Sequence, residues 1–300
     1  MRHARAKTLQ RHTPYLFLLP FFSLFVLFSL FPILYSLVIS FTNWNGIKPM
    51  EFVAFENYAR LTRDGIFLTS IRNTVLIMII TMPMPLLTGL LLALTIKDFV
   101  KRGRSAIQLA NFLPYITTPV AIGFLFQILF EWQNGTVNQI LLNLGLITDP
   151  INWLGQAGHA RVVMVILSWW RYYGYFMVIF LAGLSSIPES MYEAAKLDGA
   201  RWLQLLRYIT LPMLKPVTMF LLTTSIIGGL QIFDEPKVLF SGANLPIGGP
   251  NNSVLLMIMY FYDTAFKRFD LGYGSAIAYA LILLIVLFSL AFQRLTSKEE

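Results

Sequence analysis

The residues of this chain with chemical potential fall into a few groups, and none is arranged to break a bond. The first is Ser168-Trp169-Trp170-Arg171-Tyr172-Tyr173-Gly174-Tyr175, a cation among rings and hydroxyls inside a long apolar run. Ser168, Tyr172 and Tyr175 stand at i, i+4 and i+7, which places them on one face of a helix. Sugars present C–H faces that stack on aromatic rings and hydroxyls that need hydrogen-bond partners, so this face is a candidate wall for a polyhydroxylated solute. The same composition fits an aromatic belt at a membrane interface. Left unpaired against lipid, Arg171 would cost about 2.5–3.5 kcal/mol, so it should face the cavity or a partner subunit, either touching substrate or serving as a structural Arg that snorkels or pairs at the seam between subunits. Further candidates are Thr224, Ser225, Gly228, Gly229 and Gln231, where paired glycines either admit a ligand close to backbone or let helices pack tightly. Gln127 is a lone amide suited to a solute hydroxyl or to an adjacent helix.

A second kind of site is the charged, helix-forming stretch from Ser185 to Pro216, held between two apolar runs. Ser186 and Glu189 have capping-box spacing, with Pro188 where a first turn tolerates its missing N–H. Good helix formers follow to Leu197, and Gly199 stands where a helix C-terminus favours φ > 0. A second short helix is expected from Ala200 to Tyr208, stopping before Pro212. Two short helices with a glycine corner make a compact knob, and Ala194 and Ala195 give it a small face open to close approach. Docking on a partner and lying on lipid headgroups through Trp202 and Arg201 both fit these residues.

Several functions are excluded by what is missing. The chain has no Cys, so disulfides, thiolate metal sites and Cys nucleophiles are ruled out. Its three His (His3, His12 and His159) are too scattered for a zinc site. The net charge of +8 is not organised as a basic stripe interleaved with aromatics, which argues against nucleic acid. There is no G-x-x-x-x-G-K-[ST] phosphate loop. Inside the apolar runs Arg171 is the only formally charged residue, so a proton relay through Asp, Glu or His is absent. The runs also hold no carboxylate pair or His–nucleophile arrangement for intramembrane catalysis. A transporter with neither an ion relay nor a nucleotide site must draw energy from a partner; a passive channel or an uncoupled secondary sugar transporter is the alternative.

The elements that position these residues are membrane helices. Of 300 residues, 56% are hydrophobic and 13% charged, and the apolar ones gather into six runs. These are roughly Tyr15–Phe41, Thr74–Ile96, Ala106–Phe130, Val162–Gly183, Pro216–Phe233 and Leu271–Phe292, each able to cross about 30 Å of hydrocarbon at 1.5 Å per residue. Pro83, Pro85, Pro114 and Pro119 should kink the second and third. The first run is too long for a signal h-region and reads as a retained anchor. Fourteen Lys and Arg in alternate segments face six in the others, which places both termini and residues 185–215 in the cytoplasm. The expected organisation is a cytoplasmic segment 1–14, a six-helix membrane domain 15–292 and a cytoplasmic tail 293–300.

The pattern Glu193-Ala194-Ala195, three residues, Gly199, nine residues, Ile209-x-Leu211-Pro212 resembles the EAA signature of bacterial ABC importer permeases. Asn57-Tyr58, Asp64, Asn73-Thr74, Asn152-Trp153, Leu181-Ala182-Gly183-Leu184, Ile187-Pro188, Leu197-Asp198-Gly199-Ala200, Gly248-Gly249-Pro250 and Phe266 through Gly272 are similar to the maltose-type carbohydrate uptake group. The residues Gly242–Ile247 look like an insertion relative to it. The resemblance implies an all-α integral membrane protein with the type I importer permease fold and a carbohydrate, of oligosaccharide size, for cargo. It also implies a second permease subunit, an ATPase dimer carrying ATP and Mg, and an external sugar-binding protein, with no cofactor in this chain. Glu193, Ala194, Ala195, Asp198 and Gly199 would form the coupling helix that docks on the ATPase. Ser168, Arg171, Tyr172, Tyr175, Ser225, Gly228, Gly229 and Gln127 would border the substrate pathway.

Overall fold

Proline and glycine decide where the apolar runs bend. The computed structural model describes residues 15, 17–241 and 248–296; among them the chain is helical, with one isolated antiparallel bridge between Thr42 and Phe52. The basic residues Arg2, Arg5, Lys7, Arg11 and Lys298, His3 and His12, and the stretch Gly242–Ile247 lie outside the described residues. In chain order the helices are α1 (Phe17–Ile39), α2 (Glu56–Arg63), α3 (Gly65–Thr81), α4 (Pro83–Phe99), α5 (Arg104–Ile116), α6 (Pro119–Leu129) and α7 (Thr136–Asn143). They continue with α8 (Ala157–Ser185), α9 (Glu189–Leu197), α10 (Trp202–Met213), α11 (Lys215–Gly229), α12 (Asp234–Leu239), α13 (Met257–Tyr262) and α14 (Leu271–Thr296).

Among the described residues, four continuous stretches are long and apolar enough to cross a membrane: α1, α3 with α4, α8 and α14. The third and fifth runs of the sequence are each broken. α5 and α6 meet at 92°, and α10 and α11 at 60°, so the number of crossings rises to six only if each bent pair counts as one. The α5–α6 break has a local cause. Thr117 and Thr118 are extended, the Thr118 hydroxyl accepts the Ala121 N–H, and Pro119 opens α6 at a position where its missing N–H is harmless. Pro83 opens α4 in the same way, and there the helix path carries on without a sharp bend.

Contacts divide the chain into two compact units, Met1–Asp64 with Phe261–Ala280, and Gly65–Tyr260 with Leu281–Glu300. In the first, polar side chains tie loops to helices. Asn57 donates to the carbonyls of Ser40 and Thr42 at 2.9 and 2.8 Å, and the Ser40 and Tyr58 hydroxyls are 2.7 Å apart. The Tyr273 hydroxyl donates to Asp64 at 2.7 Å, and Arg60 pairs with Asp270 while lying 3.8 Å over the Tyr273 ring.

The second unit is built on α4, α5 and α8. Ala93, Leu94, Phe176, Met177, Phe180 and Leu184 form its core with Leu214 and Leu221. Gly174 is the closest point: a Cβ there would sit 1.8 Å from the carbonyl oxygen of Asn111, so α5 and α8 touch backbone to backbone. Asn73 on α3 donates to the carbonyls of Asn252 and Leu255, and the Thr74 hydroxyl accepts the Met257 N–H at 2.9 Å. The loop holding Gly248-Gly249-Pro250 is thereby fastened to α3.

Candidate functional site

Two turns of α8, one turn of α11 and the Tyr115 ring of α5 border a half-open cavity of about 330 Å³. Ser168, Tyr172, Tyr175, Ser225, Gly228 and Gly229 all line it. Thr81, Tyr115 and Thr224 complete its polar and aromatic wall, with Met78, Met82, Pro85, Phe176 and Ile232 as the remainder. The rings form a cluster: Tyr115 and Tyr175 stack at 4.7 Å between centroids, and Tyr172 meets Tyr115 edge-on at 6.0 Å. Such pairing fixes ring positions at little entropic cost. The Thr81, Thr224 and Ser225 hydroxyls each donate to a carbonyl of their own helix, at 2.7, 2.9 and 2.6 Å. Their protons are thus engaged and their lone pairs remain to accept from a solute hydroxyl. No atom lies within 4 Å of a Cβ built on Gly228, so that glycine opens space rather than packing helices.

Two expected lining residues are placed elsewhere. The Gln127 amide donates to the carbonyls of Val238, Leu239 and Ser241 at 2.7, 3.1 and 3.1 Å, closing the C-terminus of α12 against α6. Of its two sequence-level roles, the helix-binding one is realised. Arg171 is buried but does not line the cavity; it forms an ion pair with Glu235. The Tyr172 hydroxyl donates to the same Oε1 of Glu235 at 3.3 Å, and the Arg171 guanidinium lies 5.3 Å from the Tyr172 ring. Glu235 itself is only 4% exposed. Sequence reasoning missed it because it falls beyond the fifth apolar run, which ends at Phe233, in the loop leading to the sixth. The start of that loop is instead the short helix α12, packed on α6 with Glu235, Pro236 and Leu239 buried.

The knob between α8 and α11 differs from expectation at both ends. No side chain caps α9: Pro188 is its N-cap, and the Ser186 hydroxyl donates backward to Gly183 at 2.7 Å, so the expected capping box is not formed. The second helix does not stop before Pro212. It runs on to Met213 through a widened turn at Leu206–Thr210, in which the Leu211 N–H reaches Leu206. Widening carries the proline ring past the carbonyl it would otherwise strike. Gly199 does adopt φ +82°, and the Ala200 N–H returns to the Ala195 carbonyl at 2.9 Å, a Schellman closure.

Glu193, Ala194, Asp198 and Gly199 are exposed and Ala195 is half-buried, while Tyr192 anchors the inner face. The Tyr192 hydroxyl is 3.1 Å from that of Thr210, and the Lys97 ammonium lies 4.1 Å above its ring. The Trp202 indole donates to Asp98 at 2.9 Å. α9 is therefore fastened to the end of α4 on one side and bare on the other.

Residues 85–298 match the family described as binding-protein-dependent transport system inner membrane component, and the chain belongs to that family. It is a membrane transport component and not an enzyme. It is 36% identical over 276 residues to the lactose transport system permease protein LacF of Rhizobium radiobacter, covering 92% of this chain and 91% of that one. It is 35% identical over 294 residues to the arabinooligosaccharides transport system permease protein AraP of Bacillus subtilis, covering 96% and 89%. Among solved structures, a chain of a bacterial alginate ABC transporter, crystallised with an alginate pentasaccharide-bound periplasmic protein, superposes with a TM-score of 0.85. That likeness spans 97% of this chain and 96% of the other at 22% identity, and it establishes the type I permease fold.

Proposed function

We propose that this chain is one of two permease subunits of an ATP-driven importer that takes up an oligosaccharide delivered by an external binding protein. The observation that carries this reading is the cavity of tyrosine rings and hydroxyl acceptors in a chain of this family. Relatives named for lactose and arabinooligosaccharides support a saccharide as cargo. Rings take the C–H faces, and the engaged hydroxyls of Thr81, Thr224 and Ser225 accept from sugar O–H groups. In this reading six crossings hold both termini in the cytoplasm. A partner ATPase pair, carrying ATP and Mg, seats the exposed face of α9 formed by Glu193, Ala194, Ala195, Asp198 and Gly199. Closure of the pair moves α9, and α4 and α8 turn the cavity outward.

The test is uptake by the reconstituted complex with its binding protein, assayed with lactose, arabinotriose and maltotriose. Tyr172→Ala removes the ring that meets Tyr115 and should lower uptake about tenfold, the equivalent of about 1.4 kcal/mol, without loss of assembled complex. Undiminished uptake of every transported sugar would remove Tyr172 from the pathway. Uptake that continues when the ATPase cannot hydrolyse nucleotide would sink the proposed energy source.

A further inference from the structure

Among the described residues, the cavity wall that this chain supplies carries no formally charged side chain, although the Arg171 guanidinium lies 5.3 Å from the ring of the lining residue Tyr172. Tyr172 lines the cavity with its ring, while its hydroxyl points away to Glu235 Oε1. The same oxygen is paired with Arg171. One carboxylate, contributed by a residue 64 positions further along the chain, thus consumes a cation that would otherwise be the natural partner for an anionic solute. The neutralisation extends along α12. α12 also carries Asp234 and Lys237, one acid and one base beyond the Arg171–Glu235 pair, and the Lys237 ammonium lies 4.8 Å over the Phe233 ring.

We propose that Glu235 is a specificity-determining residue that makes the cavity select uncharged saccharides over acidic ones. The inference rests on the carbohydrate reading above and narrows it. A uronate entering this space would give up water for tyrosine rings, methionines and hydroxyls, with no net positive charge to replace it, and burying an uncompensated carboxylate is strongly unfavourable. A neutral sugar meets no such penalty. Fold does not settle the matter, since an ABC transporter that imports the acidic polysaccharide alginate shares it, with a TM-score of 0.79 at 25% identity. The charge of the wall does. Glu235→Gln keeps the shape of the side chain and the Tyr172 contact while leaving Arg171 uncompensated beside the cavity. Arg171 already has a buried Nε without a partner, so the freed guanidinium has donors to offer.

The experiment is equilibrium binding to the purified complex in detergent without the binding protein, with lactose, arabinotriose and maltotriose as neutral probes and trigalacturonate as the acidic one. The native complex should bind its best neutral probe at least about tenfold more tightly than trigalacturonate, roughly the factor that one 1.4 kcal/mol difference supplies. In Glu235→Gln that ratio should fall below about threefold, and added salt should reverse the gain. The double variant Arg171→Met with Glu235→Leu removes both charges; it should assemble and keep the neutral preference, and it keeps the idea testable if the single variant fails to assemble. Trigalacturonate binding the native complex as tightly as the best neutral probe would overturn the inference and leave the carbohydrate reading standing. So would an assembled Glu235→Gln complex with an unchanged ratio, or a double variant that gains acid binding. Failure of every saccharide, neutral and acidic, to bind the native complex would overturn the carbohydrate reading and this inference together.

Discussion

At the scale of single residues, the site depends on how closely backbones approach. Gly174 separates Arg171 and Tyr172 from Tyr175, and its missing side chain lets the Asn111 carbonyl of α5 lie against α8. Tyr115 is carried four residues further along α5, so the same contact sets the stacking of Tyr115 on Tyr175. Gly174→Ala would place a methyl 1.8 Å from that oxygen, and α5 would have to move. Overpacking of this kind costs about 1–3 kcal/mol. The expected outcome is a lower Tm for the purified complex together with weaker uptake, because the ring pair shifts with the helix. A variant with the parent's Tm and uptake would show that the close approach is not required. The Arg171–Glu235 pair has the opposite character. A buried ion pair is weak evidence for stability as a whole, yet removing one partner alone costs about 3–5 kcal/mol, which is why the double replacement is the cleaner probe of its role.

At the scale of elements, the knob combines an anchored face and a bare one. Tyr192, Trp202 and Thr210 hold α9 and α10 to each other and to Lys97 and Asp98 at the end of α4, and α4 contributes Pro85 to the cavity. In the proposed mechanism, a push on the bare face would reach the cavity through these packed helices. The corner at Gly199, with φ +82°, sets the angle between α9 and α10. Gly199→Pro cannot adopt that angle, since proline holds φ near −65°. The expected result is a complex that inserts and hydrolyses ATP but imports several-fold less sugar per ATP; an unchanged ratio would mean that the corner transmits nothing. This corner was legible in the sequence because a glycine after a run of helix formers has a specific backbone meaning. So was the face of Ser168, Tyr172 and Tyr175, from helical spacing. The continued helix through Pro212 was not, since proline ordinarily stops a helix and only the widened turn at Leu206–Thr210 accommodates it. Nor was the partner of Arg171. Asp234-Glu235-Pro236 has the acidic first turn of a helix, which signals α12, but no periodicity links it to a residue more than sixty positions earlier.

At the scale of the whole molecule, the remaining question is direction. Counting basic residues in alternate segments gave fourteen against six, a count that left out Arg72 and Arg161. Both precede an apolar run, on the side opposite to the knob in the proposed topology, so the contrast becomes fourteen against eight. The bias keeps its sign. In the proposed topology the bare face of α9 meets a cytoplasmic ATPase, and the loop fastened by Asn73 lies on the opposite side, with the binding protein. The two bent helix pairs make this more than a formality, because a pair bent by 92° that failed to cross would invert everything after it. Alkaline phosphatase and fluorescent-protein fusions decide the matter. A fusion after Thr296 and one at Gly199 should both fluoresce and lack phosphatase activity, and a phosphatase inserted after Asn143 should be active. An active phosphatase at Thr296 with fluorescence still at Gly199 would show that the α10–α11 pair turns back rather than crossing. It would leave the knob in place and remove the fifth crossing, with α14 still spanning but in the opposite direction.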